Sequence, residues 1–212
     1  MTTLLIARHG NTFAPGEVVR RAGAGTDIPL VESGRAQGTY LGQFLAQENL
    51  IPDLAYSSHL KRAKETANLA LDAMGLNLPI TEDKIFNEID YGPDEGKPEE
   101  EVIARLGADV LKAWDKDAIV PNGWNVTPDE LIQGWMDFGK TVAANYTGKT
   151  ILVVTSNGIA RFAPYLTGDF DGFKQNHNIK LSTGAVSKLD FDGTNWSVDF
   201  WNSKPAKILN AA

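Results

Sequence analysis

Apolar positions along the chain switch repeatedly between continuous runs and a helical repeat, and those switches predict the elements. Leu4-Leu5-Ile6-Ala7 is an unbroken apolar run and predicts a strand over 3–8, buried on both faces. From Ser33 to about Glu48 the spacing is helical, with Ser33 as the expected cap. A short strand is expected at 53–57. Leu60, Ala63, Ala67, Leu71 and Met74 then recur on one helical face from Ser58 to Met74, and Gly75 supplies the stop. This places Arg62 in the first turn of a helix that begins where a strand ends. Residues 79–81 read as a third strand leading toward Glu88.

The second half repeats the alternation. Thr127-Pro128-Asp129-Glu130 has the form of a capping box with Pro at the first helical position, opening a helix that should run to about Tyr146. Lys149 to Thr155 is a β-branched run and the clearest central strand. Ile159 to Leu166 reads as helical, interrupted at Pro164. Residues 182–191 and 196–201, joined by Asp192-Gly193-Thr194, read as an antiparallel hairpin closing the sheet. Strands alternating with helices imply an α/β protein, a three-layer α/β/α sandwich with a mostly parallel central sheet. Residues 92–126 break the rhythm. They are rich in Asp, Glu, Gly and Pro, with helical stretches near 99–106 and 108–116, and read as an insertion over one end of the sheet.

Bulk properties narrow the classes. A chain of 212 residues is expected to form one domain, 1–212, with a substantial core. Its net charge of −7 argues against a nucleic-acid or anionic-membrane surface, while leaving room for a local basic pocket. With no cysteine there is no thiolate chemistry and no Cys-based zinc site. No signal-like start or membrane-length apolar run is present, so a cytoplasmic location is the default expectation, and the glycosylation-type triplets at Asn125, Asn145 and Asn195 carry no weight. Oligomeric state is not readable.

The chemistry begins at Arg8-His9-Gly10-Asn11-Thr12, directly after the first strand. The carboxyl ends of strands in open α/β sheets form ligand crevices. A guanidinium suits a phosphate dianion because its planar fork donates parallel charged hydrogen bonds, and a neutral imidazole can attack phosphorus. Alone, the triplet equally fits an ordinary strand end. Further blocks follow: Asp27-Ile28-Pro29-Leu30 with Ser33-Gly34 and Gln37; Leu60-Lys61-Arg62-Ala63-Lys64-Glu65-Thr66-Ala67 after Tyr56-Ser57-Ser58; and Asn87-Glu88-Ile89-Asp90-Tyr91-Gly92 with Glu95-Gly96-Lys97. In this order, from Leu4 to about Arg161, they resemble the histidine phosphatase superfamily, also called the phosphoglycerate mutase-like family.

The resemblance implies that fold and a metal-independent phosphomonoester hydrolase without a cofactor, acting on a small phosphorylated metabolite. It implies His9 as the nucleophile that becomes phosphohistidine, Arg8 and Arg62 as clamps on the phosphoryl oxygens, Glu88 as general acid and then base, and Asn11 and Thr12 as further donors. Read without it, Arg62 beside Lys61, Lys64 and Glu65 fits a solvated helix face, Glu88 a surface acid, and Thr12 a turn hydroxyl.

One position departs from the resemblance. It implies a second histidine just after the late central strand, and Ser156 stands there, followed by Asn157. A charged donor contributes about 1.5–3 kcal/mol and a neutral one about 0.5–1.5. Phosphate binding by Ser156, Asn157 and the backbone N–H groups that follow is therefore expected to survive, with turnover anywhere between unchanged and slowed on the order of 10²–10³-fold. His177, in Asn176-His177-Asn178, is the candidate to compensate, although its place does not match; His59 reads as a surface residue at a helix start. The continuation Asn11-Thr12-Phe13-Ala14-Pro15 and the short insertion favour hydrolysis over a mutase. A catalytically silent phosphate binder is the third reading.

The remaining signals have structural readings. Thr147-Gly148-Lys149-Thr150 precedes a strand instead of following one, so it is no P-loop. The two Asp-Phe-Asp-Gly segments, at 169–172 and 190–193, read as turns, and Ala22-Gly23-Ala24-Gly25 as a flexible loop near the site. Trp114, Trp124 and Trp135 read as core, with one of them available to cover the pocket.

Overall fold

The computed structural model describes residues 1–210. Its strands are β1 (Thr2–Arg8), β2 (Leu54–Ser57), β3 (Ile80–Glu82), β4 (Thr150–Thr155), β5 (Val186–Phe191) and β6 (Trp196–Ser203). They form one sheet in the order β3-β2-β4-β1-β5-β6. β1 and β2 pair in parallel with β4, and β2 with β3; only β5 runs opposite to the other five strands. The register sets Arg8 opposite Thr155, and His9 N–H donates to the Thr155 carbonyl at 3.0 Å. The tips of the two central strands therefore end level, with His9 and Ser156 just beyond them.

Alternation in β1 and β4 sorts the core onto two faces. Leu5, Ala7, Leu152 and Val154 pack with α1 (Glu32–Gln47) and α2 (Lys61–Ala73). Leu4, Ile6, Ile151 and Val153 belong to the larger opposite cluster, with Trp135, Phe138 and Val142 of α5 (Pro128–Asn145). That cluster also takes in Val102 of α3 (Glu99–Leu106) and Leu111 and Trp114 of α4 (Ala108–Asp117). The result is the expected three-layer architecture. Helices 99–106 and 108–117 stand over the carboxyl end of the sheet and help to wall the cleft described below.

Local corrections follow from competing hydrogen bonds. Ser33 lies inside the first turn of α1, whose cap is Val31, and its hydroxyl instead accepts from Asn11 Nδ2 at 3.2 Å. Thr127 precedes α5 but makes no side-chain cap bond, so Pro128 is the part of that start signal the structure keeps. The predicted helix over 159–166 begins earlier and splits. It forms a four-residue turn, α6 (Asn157–Ala160), then a 3₁₀ stretch at Ala163–Thr167 containing Pro164. Asp169 does not form a bare turn; its carboxylate accepts from Gly172 N–H and caps α7 (Phe170–Asn176). A last helix, α8 (Pro205–Leu209), packs on α1 and was not anticipated.

Candidate active site

The carboxyl tips of β1 and β4 open into a cleft of about 780 Å³. Arg8, His9 and Thr12 line it from β1 and its loop, Glu88 and Tyr91 from the segment after β3, and Asn157 and Arg161 from the segment after β4. The β1 loop is fixed by close backbone packing. A Cβ on Gly10 would lie 2.2 Å from the Gly34 carbonyl oxygen, so only glycine lets the loop approach α1 this closely.

His9 is 5% exposed. Its Nδ1 lies 2.8 Å from the Gly10 carbonyl oxygen, an acceptor only, so Nδ1 carries the proton and Nε2 holds a lone pair. Arg62 Nε–H donates to that lone pair at 3.2 Å. Burial first, and then the charges of Arg8 and Arg62, hold the imidazole well below the usual histidine range, hence neutral.

Arg62 is fully buried, so the solvated-face reading fails. Its Nη1 donates to Thr26 O at 2.6 Å, and Nη2 to Ala22 O and Gly23 O at 3.1 and 3.2 Å. The loop expected to be flexible thus wraps a guanidinium. Glu95 holds that loop, accepting from Gly23 N–H at 2.9 Å and Thr26 Oγ1 at 2.5 Å. Arg8 Nη1 donates to Leu181 O at 2.7 Å, while its Nε is buried without a partner among the described residues. Burial pushes both guanidinium groups below their ordinary value.

Glu88 is 6% exposed. Its Oε1 accepts from Ile89 N–H at 2.9 Å and its Oε2 from Gly158 N–H at 3.1 Å, with Tyr91 Oη 3.4 Å away. The Gly158 N–H is therefore not free for a ligand, which narrows the backbone contribution expected after Ser156. The Ser156 hydroxyl is buried with no partner among the described residues. Asn157 Oδ1 accepts from Leu181 N–H at 2.8 Å, and its amide nitrogen has no acceptor among the described residues.

Asn11 reaches the cleft, with one Nδ2–H given to Ser33 Oγ at 3.2 Å and Oδ1 accepting from Thr183 Oγ1 at 2.5 Å. One expectation changes: His177 does not compensate for Ser156. Its ring lies 5.0 Å from that of Phe173 and lines a separate hollow beside α4 and α7. His59 is exposed at the start of α2, as expected. Trp124 and Trp135 are buried, donating to Asp94 and to Ile159 O; Trp114 is the tryptophan that lines the cleft.

Sequence reasoning missed four cations in this wall, Arg20, Arg21, Arg161 and Lys180. The available signal was Arg161 itself, a charge in the apolar stretch Ile159-Ala160-Arg161-Phe162. Among the described residues, no group of three or more His, Cys, Asp or Glu could hold a metal, and no helix is long and apolar enough to cross a membrane.

A neutral imidazole between two guanidinium groups, with a carboxylate alongside, can hold a tetrahedral oxyanion and attack it. On a mostly parallel sheet, this is the layout of an α/β protein that handles phosphate esters. The chain belongs to the histidine phosphatase superfamily (branch 1), whose family model matches residues 4–204. It is similar to a 2,3-bisphosphoglycerate-dependent phosphoglycerate mutase of Mycobacterium leprae, 32% identical over 170 residues covering 78% of this chain and 65% of that protein. The corresponding mutase of Clavibacter sepedonicus is 30% identical, covering 90% and 86%. The chain thus spans somewhat less than two thirds of the mycobacterial relative.

Among solved structures, it shares its fold with a mycobacterial glucosyl-3-phosphoglycerate phosphatase complexed with VO3 (TM-score 0.76, 22% identity, covering 95% and 98%). It likewise shares its fold with an Entamoeba histolytica phosphoserine phosphatase in complex with 3-phosphoglyceric acid (TM-score 0.76, 20% identity, covering 96% and 98%).

Proposed function

We propose that the chain is a metal-independent phosphomonoester hydrolase working through a phosphohistidine. The observation that carries this is the His9 tautomer: Nδ1–H is tied to Gly10 O, and Nε2 faces the cleft as a lone pair steadied by Arg62. An arriving phosphoryl group replaces the long Arg62–His9 bond. Phosphorus takes the lone pair, and an equatorial oxygen takes the Arg62 Nε–H. Arg8 Nε, Ser156 Oγ and the Asn157 amide are further donors without partners among the described residues. Glu88 protonates the departing alkoxide, then takes a proton from the water that cleaves the N–P bond and releases phosphate. Thr12 and Asn11 shape the loop beside the phosphate, and the chain acts as one catalytic domain.

Hydrolysis is favoured over mutase chemistry by the continuation Asn11-Thr12-Phe13 and by the phosphatases among the structural neighbours. The test is turnover of p-nitrophenyl phosphate by wild type and His9→Ala, with acid-quenched protein assayed for phosphohistidine. Wild type should turn over and trap the adduct, and His9→Ala should lose both by at least about 10³-fold. Interconversion of phosphoglycerates without phosphate release would indicate the mutase reading. A wild type that binds vanadate but forms no adduct would indicate a silent binder.

A further inference from the structure

Most polar side chains around the cleft either face the phosphoryl position or are held by their own packing. Arg21 pairs with Glu99 at 2.7 Å, and the Arg161 guanidinium carbon lies 3.8 Å above the Trp114 ring, with Glu88 as a nearby counter-charge. Gln37 does neither. It stands on α1 behind the β1 loop, half-buried and outside the lining of the cleft, with both ends of its amide engaged by backbone.

Its Oε1 accepts from Asn11 N–H at 2.8 Å, and its Nε2 donates to Thr183 O at 3.2 Å. The partners fix the orientation of the amide, because a backbone N–H only donates and a carbonyl only accepts. The stem is held as well. Gly184, at φ +68°, packs so closely that a Cβ there would lie 2.7 Å from the Gln37 Cβ. Gln37 therefore meets Asn11 as a fixed acceptor.

The Asn11 N–H belongs to the same peptide unit as the Gly10 carbonyl, which accepts from His9 Nδ1 at 2.8 Å. A trans peptide is planar, so its N–H and C=O point in opposite directions. By holding one end, Gln37 aims the other at the imidazole. Among the described residues these are the only hydrogen bonds of that unit. Its neighbours are fixed separately: Gly10 N–H donates to Thr66 Oγ1 at 3.0 Å, and Asn11 O accepts from Val31 N–H at 3.0 Å. Without Gln37 the unit can turn over between these anchors, since its pivots belong to a glycine and an asparagine, which tolerate the change. The turned unit presents a donor to Nδ1. Arg62 Nε–H already donates to Nε2, and a neutral imidazole cannot accept at both nitrogens. The ring must then give up one bond, and a proton moved to Nε2 removes the lone pair that attacks phosphorus.

We propose that Gln37 is a positioning residue: it locks the Gly10–Asn11 peptide with its carbonyl toward His9 and so keeps His9 in the Nδ1–H tautomer, with Nε2 ready to attack. The inference rests on the phosphohistidine reading above and deepens it. Gln37 acts only through the backbone.

The test reads the tautomer directly. The chain has three histidines, so long-range proton–nitrogen correlation spectra of histidine-labelled protein give three sets of ring signals, and His9→Ala identifies one of them. Wild type should show His9 as a single Nδ1–H form. Gln37→Met, of similar length but without the amide, should show the Nε2–H form or exchange between the two. Its kcat on p-nitrophenyl phosphate should fall about 10- to 100-fold, with phosphate inhibition changed less than about threefold. Gln37→Asn is one methylene too short to reach the Asn11 N–H, should behave like Gln37→Met, and decides the matter if Gln37→Met does not fold. Gln37→Glu keeps an oxygen for that N–H and should retain the wild-type tautomer. An unchanged tautomer in Gln37→Met, or in Gln37→Asn where Gln37→Met does not fold, overturns the proposal. Loss of the tautomer in all three variants overturns it too, because the role of Gln37 is then merely structural. The spectra need no turnover: a wild type that hydrolyses nothing ends the hydrolase reading, while loss of the Nδ1–H form in Gln37→Met still upholds the coupling of Gln37 to His9.

Discussion

Arg8 ends β1 and Ser156 follows the end of the adjacent parallel β4, and each presents a buried donor with no acceptor among the described residues. A buried unmade hydrogen bond costs about 1–3 kcal/mol, and a ligand oxygen reaching both donors removes that cost. Ser156→Ala should therefore leave the free protein as stable or up to about 1 kcal/mol more stable, while weakening orthovanadate inhibition about 2- to 10-fold. A thermal melt and a vanadate titration check this; a destabilised protein with unchanged vanadate affinity would contradict it. The residues of this site were unequally legible. His9 and Arg8 follow an unmistakable strand, and Arg62 stands at a fixed distance behind another. The engagement of the Asn11 amide by Ser33 and Thr183 was invisible, because those partners are 22 and 172 residues away. Arg161 was overlooked because a single charge in an apolar stretch announces burial without naming what it meets.

Among the elements, the short turn after β4 carries more than its length suggests. A Cβ on Gly158 would stand 2.2 Å from Glu88 Oε1, and its N–H holds the other oxygen. Gly158→Ala should push the carboxylate out of line and lower kcat on the order of 10²-fold, with a smaller change in phosphate affinity. Steady-state kinetics with phosphate as product inhibitor would separate the two effects. Strands and long helices were readable because a β-branched run or a 3.6-residue repeat is local information. The 3₁₀ stretch at 163–167, α7 and α8 were not, being short and fixed by tertiary contacts and single caps such as Asp169. The cap misread at Ser33 has a clear cause: a short hydroxyl that signals a helix start has another partner in the folded chain, here Asn11.

For the whole molecule, acid is the condition that tells most. The His9 pKa is depressed by folding, so its contribution to stability is complete above pH 6.5 and is lost as pH falls toward the folded value. Asp94 acts in the same direction lower down. Its buried carboxylate accepts from Arg105 and, at 2.7 Å, from Trp124, so its pKa is lowered and its contribution disappears as pH falls through that folded value. Chemical denaturation should thus show stability declining below pH 6.5 and again at carboxylate pH, with the first step missing in His9→Ala; a first step that persists in that variant would contradict the assignment. The three-layer plan was legible from alternating periods, whereas the docking of 92–126 was not, because Asp94, Arg105 and Trp124 meet only in three dimensions. The stacking of Arg161 on Trp114 gives the protein an optical handle of its own. An indole 3.8 Å from a cation reports any shift of that cation in its emission, so occupancy of the cleft becomes readable without label or turnover.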